Sequence, residues 1–332
     1  MQMLKTIGLF RFLIVFLGAS AAIAPAFGAV PVPADNGPQP VLRLGDAPEM
    51  LRLDPKGRFL AFRQDEKLKV LDLKDSGVHL VGVIPNGPTF TWAPDGFRLL
   101  YVKAATIPVS GNETKALTAT NIEVFDAALG QSKTVRKLAS ATGFPTMDPR
   151  ALGAYVFTPD GLTTVKLSFP DDRLAKWQLA HRESGKGKYV ATGRGMLWFN
   201  ADGTKMTQLE DDGGVLESFS VSPDGSAVAW ATVDGYIYRS QEGSAAESVD
   251  RGRDPAWHPE KHELLYAGAR MSGNKISGYD LKVSNGSHKR FITSTPFSDE
   301  RWPQWHHAGK RIFYTVARTT DLFMVDMDPK QQ

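Results

Sequence analysis

Residues 196–230 read MLWFNADGTKMTQLEDDGGVLESFSVSPDGSAVAW, and no other stretch limits the fold so severely. Apolar and polar residues alternate in short runs, and an Asp-Gly or Pro-Asp-Gly interrupts them. Side chains alternate across a strand but repeat every 3.6 residues or so on a helix, so the pattern is that of short strands. Residues 196–199 and 205–209 read as a hairpin about Asn200-Ala201-Asp202-Gly203. Residues 218–221 and 227–230 read as a second about Ser222-Pro223-Asp224-Gly225. Pro holds φ near about −65° and Gly accepts positive φ, as such turns require. The four strands together read as one β-meander.

The unit recurs. Aligned on the turn, six copies stand out: Leu53-Asp54-Pro55-Lys56-Gly57, Trp92-Ala93-Pro94-Asp95-Gly96, Phe157-Thr158-Pro159-Asp160-Gly161, Val221-Ser222-Pro223-Asp224-Gly225, Trp257-His258-Pro259-Glu260-Lys261 and Trp305-His306-His307-Ala308-Gly309. An apolar strand ending in an aromatic follows at the same offset, at Phe62, Tyr101, Trp230 and Tyr266. The last copy repeats it with Ile312-Phe313-Tyr314, and the third, residues 162–169, is degenerate. Another short strand is expected downstream of each pair, at 68–73, 121–126, 196–199, 236–239, 276–283 and 321–327.

The turns are spaced 39, 65, 64, 36 and 48 residues apart. Such a period, with about four strands per unit, is that of a β-propeller, in which each blade buries its faces only against its neighbours. The expected fold class is therefore all-β, a six-bladed β-propeller spanning residues 41–332. Residues 170–192, with Trp177, His181, Arg182, Lys186 and Lys188, read as an insertion in blade three; if they complete a blade of their own, the number is seven. Residues 106–120 read as a polar insertion between the second and third strands of blade two. The last copy lacks a fourth strand, and residues 41–44, just before the first copy, are expected to supply it and close the ring.

The first 28 residues stand apart. Lys5 and Arg11 precede and flank an apolar run at 12–22, Ala26 and Gly28 place small residues at a cleavage site, and the first acid is Asp35. This is the pattern of a secretory signal peptide, too short for a spanning helix. Residues 29–40, with Pro31, Pro33, Pro38 and Pro40, read as an extended lead-in. The chain has no cysteine, which excludes a lipid-modified N-terminal Cys, disulfides and thiolate metal sites. Loss of Lys5 and Arg11 lowers the formal charge from +3 to +1, so nothing draws the chain to nucleic acid or an anionic membrane. A monomer in the periplasm, or secreted, is expected, with no membrane insertion after cleavage.

At the repeated turns the chain resembles the TolB-type propeller repeat of bacterial periplasmic proteins. The matching features are the large apolar residue before Ser/Ala/His-Pro-Asp-Gly, the strand ending in an aromatic, and Asn-Ala-Asp-Gly-Thr followed by Gln208-Leu209. Residues 196–230 carry the pattern almost in full, and the resemblance covers roughly residues 41–328. TolB has a further N-terminal α/β domain, for which there is no room between Gly28 and Val41, so the chain resembles a propeller-only relative. The resemblance implies a non-enzymatic protein–protein interaction scaffold of the bacterial cell envelope, binding through its funnel mouth. The alternative is a propeller enzyme or binding protein acting on cell-wall or extracellular carbohydrate.

No G-x-S-x-G or H-E-x-x-H occurs, and no catalytic residue, cofactor or metal is expected. His258, His306 and His307 occupy the Ser-Pro position of the turn, where a polar side chain serves local backbone. Asp95, Asp160 and Asp224 are turn residues, and Trp92, Trp257 and Trp305 share one repeat position suited to the core between blades. Binding is expected on the opposite face, made by the loops that enter each blade. There the chain gathers Arg253, Asp254, Arg270 and the run SDERW at 298–302, with Glu300, Arg301 and Trp302. Arg and Trp are enriched at binding hot spots.

Overall fold

Several of the repeated turns are tied off by their own side chains. Asp54 accepts hydrogen bonds from the backbone N–H of Lys56 (2.7 Å), Arg58 (2.6 Å) and Phe59 (2.5 Å). Asp224 takes Ser226 N (3.0 Å) and the hydroxyls of Ser222 and Ser226 (both 2.7 Å). In the fifth copy His258 does the same work, its Nδ1 accepting from the N–H of Glu260 and Lys261 at 3.1 Å. Gly57, Gly96, Gly225 and Gly309 all have positive φ at these turns.

The computed structural model describes residues 38–87, 89–108, 115–137, 144–147, 153–158, 161–166, 187–192, 195–201, 203–209 and 214–327. Among them the chain is all strand, with no helix, and every pairing is antiparallel. β1 (Gln39–Arg43) stands first. One four-stranded sheet holds β2 (Glu49–Leu53), β3 (Phe59–Gln64), β4 (Lys67–Asp72) and β5 (Val78–Val83). The next holds β6 (Phe90–Trp92), β7 (Arg98–Pro108), β8 (Lys115–Asp126) and β9 (Gln131–Lys137). Two three-stranded sheets follow. They are β10 (Thr146–Met147), β11 (Gly153–Thr158) and β12 (Gly161–Lys166), then β13 (Lys188–Thr192), β14 (Gly195–Phe199) and β15 (Met206–Leu209).

A seven-stranded sheet runs from β16 (Leu216–Val221), β17 (Ala227–Thr232) and β18 (Tyr236–Gln241) through β19 (Glu247–Trp257) to β20 (Leu264–Ser272), β21 (Lys275–Ser284) and β22 (Lys289–Phe291). It is two four-stranded units sharing β19, whose first half pairs with β18 and whose second half pairs with β20. The last sheet orders β23 (Glu300–Trp305), β24 (Arg311–Val316) and β25 (Asp321–Asp326), and β1 lies on its outer edge, Leu42 opposite Leu322 and Arg43 opposite Asp321.

The core lies between sheets. Phe59 stacks on Trp92 across the first two, at 6.2 Å between ring centroids, and Trp230, Tyr266 and Tyr314 are fully buried. The turns interlock in the same sense. A Cβ on Gly57 would lie 2.5 Å from His307 Nδ1, one on Gly96 would lie 2.8 Å from Lys56 Cγ, and one on Gly309 would collide with the His258 ring. Each glycine thus leaves room for a turn of another copy, and the first copy backs onto the last.

Three sequence readings are corrected. The stretch 196–230 is not one meander: β14 and β15 belong to one sheet, β16 and β17 to another. The third copy's turn joins β11 to β12, whereas in the other copies the turn follows the strand that lines the centre; here that strand is β10, tied to β13 by Ala191 N donating to Thr146 Oγ1 at 3.0 Å. Residues 106–120, where described, are no separate insertion but the continuation of the β7–β8 hairpin, paired as far as Pro108 opposite Lys115. The expected signal peptide, the lead-in up to residue 37, Asp160, Trp177, His181, Arg182 and Lys186 lie outside the described residues.

Candidate functional site

Two cavities sit at opposite ends of the innermost strands. The first, about 490 Å³, is lined from β2 (Arg52, Leu53), β6 (Phe90–Trp92), β10 (Met147), β16 (Phe219–Val221), β19 (Ala256, Trp257) and β23 (Gln304, Trp305). Six strands thus face a central channel, whose rim is made of the repeated turns. The second, about 470 Å³, opens at the other end, between the loops leading into β2, β16, β19 and β23 and the hairpins after β17 and β24. This is the mouth.

At the mouth three inner strands carry a β-bulge with a residue in the left-handed region: Met50 (φ 57°), Asp254 (φ 57°) and Trp302 (φ 55°). Each lies three residues before the large apolar residue of its turn, at Leu53, Trp257 and Trp305. A bulge re-aims side chains locally, and left-handed backbone at non-glycine residues costs energy that its surroundings must offset. Asp254 is fully buried. Its Oδ2 accepts from Arg301 Nε (2.8 Å) and from the N–H of Trp302 (3.1 Å). Arg253 grips Glu217 through both ends of its guanidinium, and Arg301 reaches the same carboxylate at 3.8 Å. The two guanidiniums lie over the Tyr279 ring at 5.4 and 5.7 Å, and Arg301 also lies 5.1 Å from the Trp302 ring.

Burial pushes the Glu217 carboxyl above its ordinary range, Asp254 adds to this, and Arg253 and Arg301 oppose it. Asp254 and Glu217 hold Arg301 firmly charged against the cost of burial. Arg63, paired with Glu49 at 3.1 Å, and exposed Arg318 complete the charged wall. Large apolar side chains stand exposed on the loops and hairpins of this same end: Val215, Val233, Met271, Ile276 and Phe297, the last fully exposed with φ 71°.

In the channel, Trp92 Nε1 donates to Arg52 O (2.8 Å) and Trp257 Nε1 to Ser220 O (3.0 Å), each linking one inner strand to another. No group of three or more His, Asp or Glu is placed to hold a metal ion among the described residues.

No protein-family model matches the chain, and no curated protein matches its sequence. Among solved structures it is similar to the Cps50 (Swd1) β-propeller domain of Myceliophteria thermophila, with a TM-score of 0.52 and 12% identity over 86% of this chain and 98% of that one. The fold is a β-propeller. TolB from Acinetobacter baumannii is a second similar structure, with a TM-score of 0.45 and 13% identity, and the propeller here covers 65% of the TolB chain.

Of the residues expected to bind, the propeller brings Arg253, Asp254, Arg301 and Trp302 together at the mouth, largely engaged with one another. Arg270 and Glu300 sit to one side. Arg270 spans Asp280 (2.9 Å) and the carbonyls of Thr295 (2.9 Å) and Ser298 (2.5 Å). Glu300 is buried, accepts from Leu281 N (2.9 Å) and the hydroxyls of Thr293 and Thr295, and has its carboxyl raised by burial. These two fix the loop that carries Phe297 and Ser298. Sequence reading missed Glu217, Arg63, Arg318, Val233 and Phe297. Only Phe297 gave a signal, an aromatic flanked by Pro296 and Ser298 in a polar loop.

Proposed function

We propose that the chain is an exported, non-enzymatic propeller scaffold of the cell envelope, periplasmic or secreted, which seats a protein partner on its mouth. The mouth carries the reading: a funnel of about 470 Å³ walled by Arg63, Arg253, Arg301, Arg318 and exposed Val233, with exposed Val215 and Phe297 on loops of the same end. Arginine and aromatic side chains are enriched at protein interfaces, whose buried centre is apolar. Export rests on residues 1–28 alone. We further propose six blades in a closed ring. Six strands face the channel, β1 pairs on the edge of the last sheet, and Gly57 backs onto His306 and His307 of the last turn.

An enzyme or carbohydrate-binding protein of cell-wall glycans would need convergent acids in the channel. Its rim carboxylates, Asp54 and Asp224, are instead committed to their own turns. The test is capture of envelope proteins by the mature chain, compared with Val233→Asp/Arg318→Glu at the mouth and Leu80→Asp on the outer edge. A partner held by the wild type and Leu80→Asp but lost from the mouth variant supports the reading. Equal retention by all three overturns it.

A further inference from the structure

The channel has a chemistry of its own, at the far end from the mouth. In five of the six copies the residue before the large apolar residue of the turn forms one layer of its wall: Arg52, Thr91, Ser220, Ala256 and Gln304. Four of the five are small or neutral, and the fifth is a cation. Arg52 has five N–H donors but forms one hydrogen bond among the described residues, Nη2 to Phe219 O at 2.9 Å. It makes no ion pair there either. Asp254, close enough for its charge to act on Arg52, spends Oδ2 on Arg301 and Trp302; among the described residues its Oδ1 has no hydrogen-bond partner, and it makes no hydrogen bond to Arg52.

The carboxylates at the rim do not compete for this guanidinium. Both oxygens of Asp54 accept backbone N–H groups of its own turn, and both of Asp224 are taken by Ser222 and Ser226. The rest of the wall is apolar and aromatic: Phe90, Trp92, Met147, Phe219, Trp257 and Trp305. A concave, mainly apolar cavity of this size with a single open charged donor is the form of a small-molecule site. A guanidinium pairs best with a planar carboxylate, which it can hold through two parallel hydrogen bonds.

We propose that the channel binds a small organic monocarboxylate with a flat apolar body, its carboxylate on Arg52 and its body between the aromatic side chains. The site is independent of the partner mouth, and no bond is made or broken in it.

Three probes of one shape and different charge test this by calorimetry on the mature chain at neutral pH: indole-3-acetate, indole-3-acetamide and tryptamine. The acid is expected to bind at least tenfold more tightly than the amide, with tryptamine weaker still. Arg52→Gln is expected to abolish the preference for the acid. Because that change also removes the bond to Phe219 O, the acid-to-amide ratio on the unaltered chain stands as a test by itself. An amide that binds as well as the acid overturns the proposal, as does no binding of any probe or a preference that survives Arg52→Gln.

Discussion

Asp254 shows how one residue couples backbone strain to charge. Its left-handed backbone turns the carboxylate onto Arg301 and the N–H of Trp302, and with Asp254 fully buried and the Arg301 side chain only 15% exposed, solvent screens the pair little. Removing one partner of a buried pair strands the other, at a cost of about 3–5 kcal/mol. Asp254→Ala is therefore expected to lower unfolding free energy in urea by roughly that much, and Arg318→Ala, at an exposed arginine, by less than about 0.5 kcal/mol. A loss under about 1 kcal/mol for Asp254→Ala would contradict this account.

The histidines of the turns set a pH limit. Burial lowers the His258 pKa below its ordinary value, and burial and His307 lower that of His306. The folded state then resists protonation while the unfolded chain accepts it, so this stability is fully present above about pH 6.5 and is lost as pH falls below it. Buried carboxyls with raised pKa, among them Glu217 and Glu300, act in the opposite direction. The expected observation is thus a difference: melting temperature between pH 7.5 and 5.5 falls more steeply for the wild type than for His258→Asn. Parallel curves would refute it.

The elements were legible where turn chemistry marks them. Residues 227–230 lie within β17, which follows a turn capped by Asp224, and 236–239, 68–73 and 321–327 fall within or overlap β18, β4 and β25, where short apolar alternation marks the strand. β10 was missed although Asp148-Pro149-Arg150 follows it as Asp54-Pro55-Lys56 follows β2, because the Pro-Asp-Gly of the third copy fell in a different hairpin. The mouth was half legible for a similar reason. Arg301 and Trp302 announce themselves by type, whereas Glu217 and Arg63 reach the site from other sheets, and one sequence does not reveal which sheets adjoin. The pairing of β1 with β25 has a direct consequence: without residues 39–43 the backbone of β25 becomes an open edge, and such edges aggregate. Deletion of 39–43 is expected to lower the melting temperature and yield aggregates on size-exclusion chromatography; a monomer of unchanged melting would count against it.

At the scale of the whole molecule, the propeller separates two surfaces. Turn residues that repeat from copy to copy build one rim, while the mouth draws on residues that do not repeat, as expected where a scaffold frees its loops for recognition. The channel cavity around Arg52 and the arginines of the mouth line two separate cavities. The central claim is that the mouth, and not the outer edge, seats the partner. The most direct measurement is a titration of the captured partner into the wild type, Val233→Asp/Arg318→Glu and Leu80→Asp. The account predicts at least tenfold weaker binding to the mouth variant and unchanged binding to the edge variant. Equal affinity for all three would contradict it.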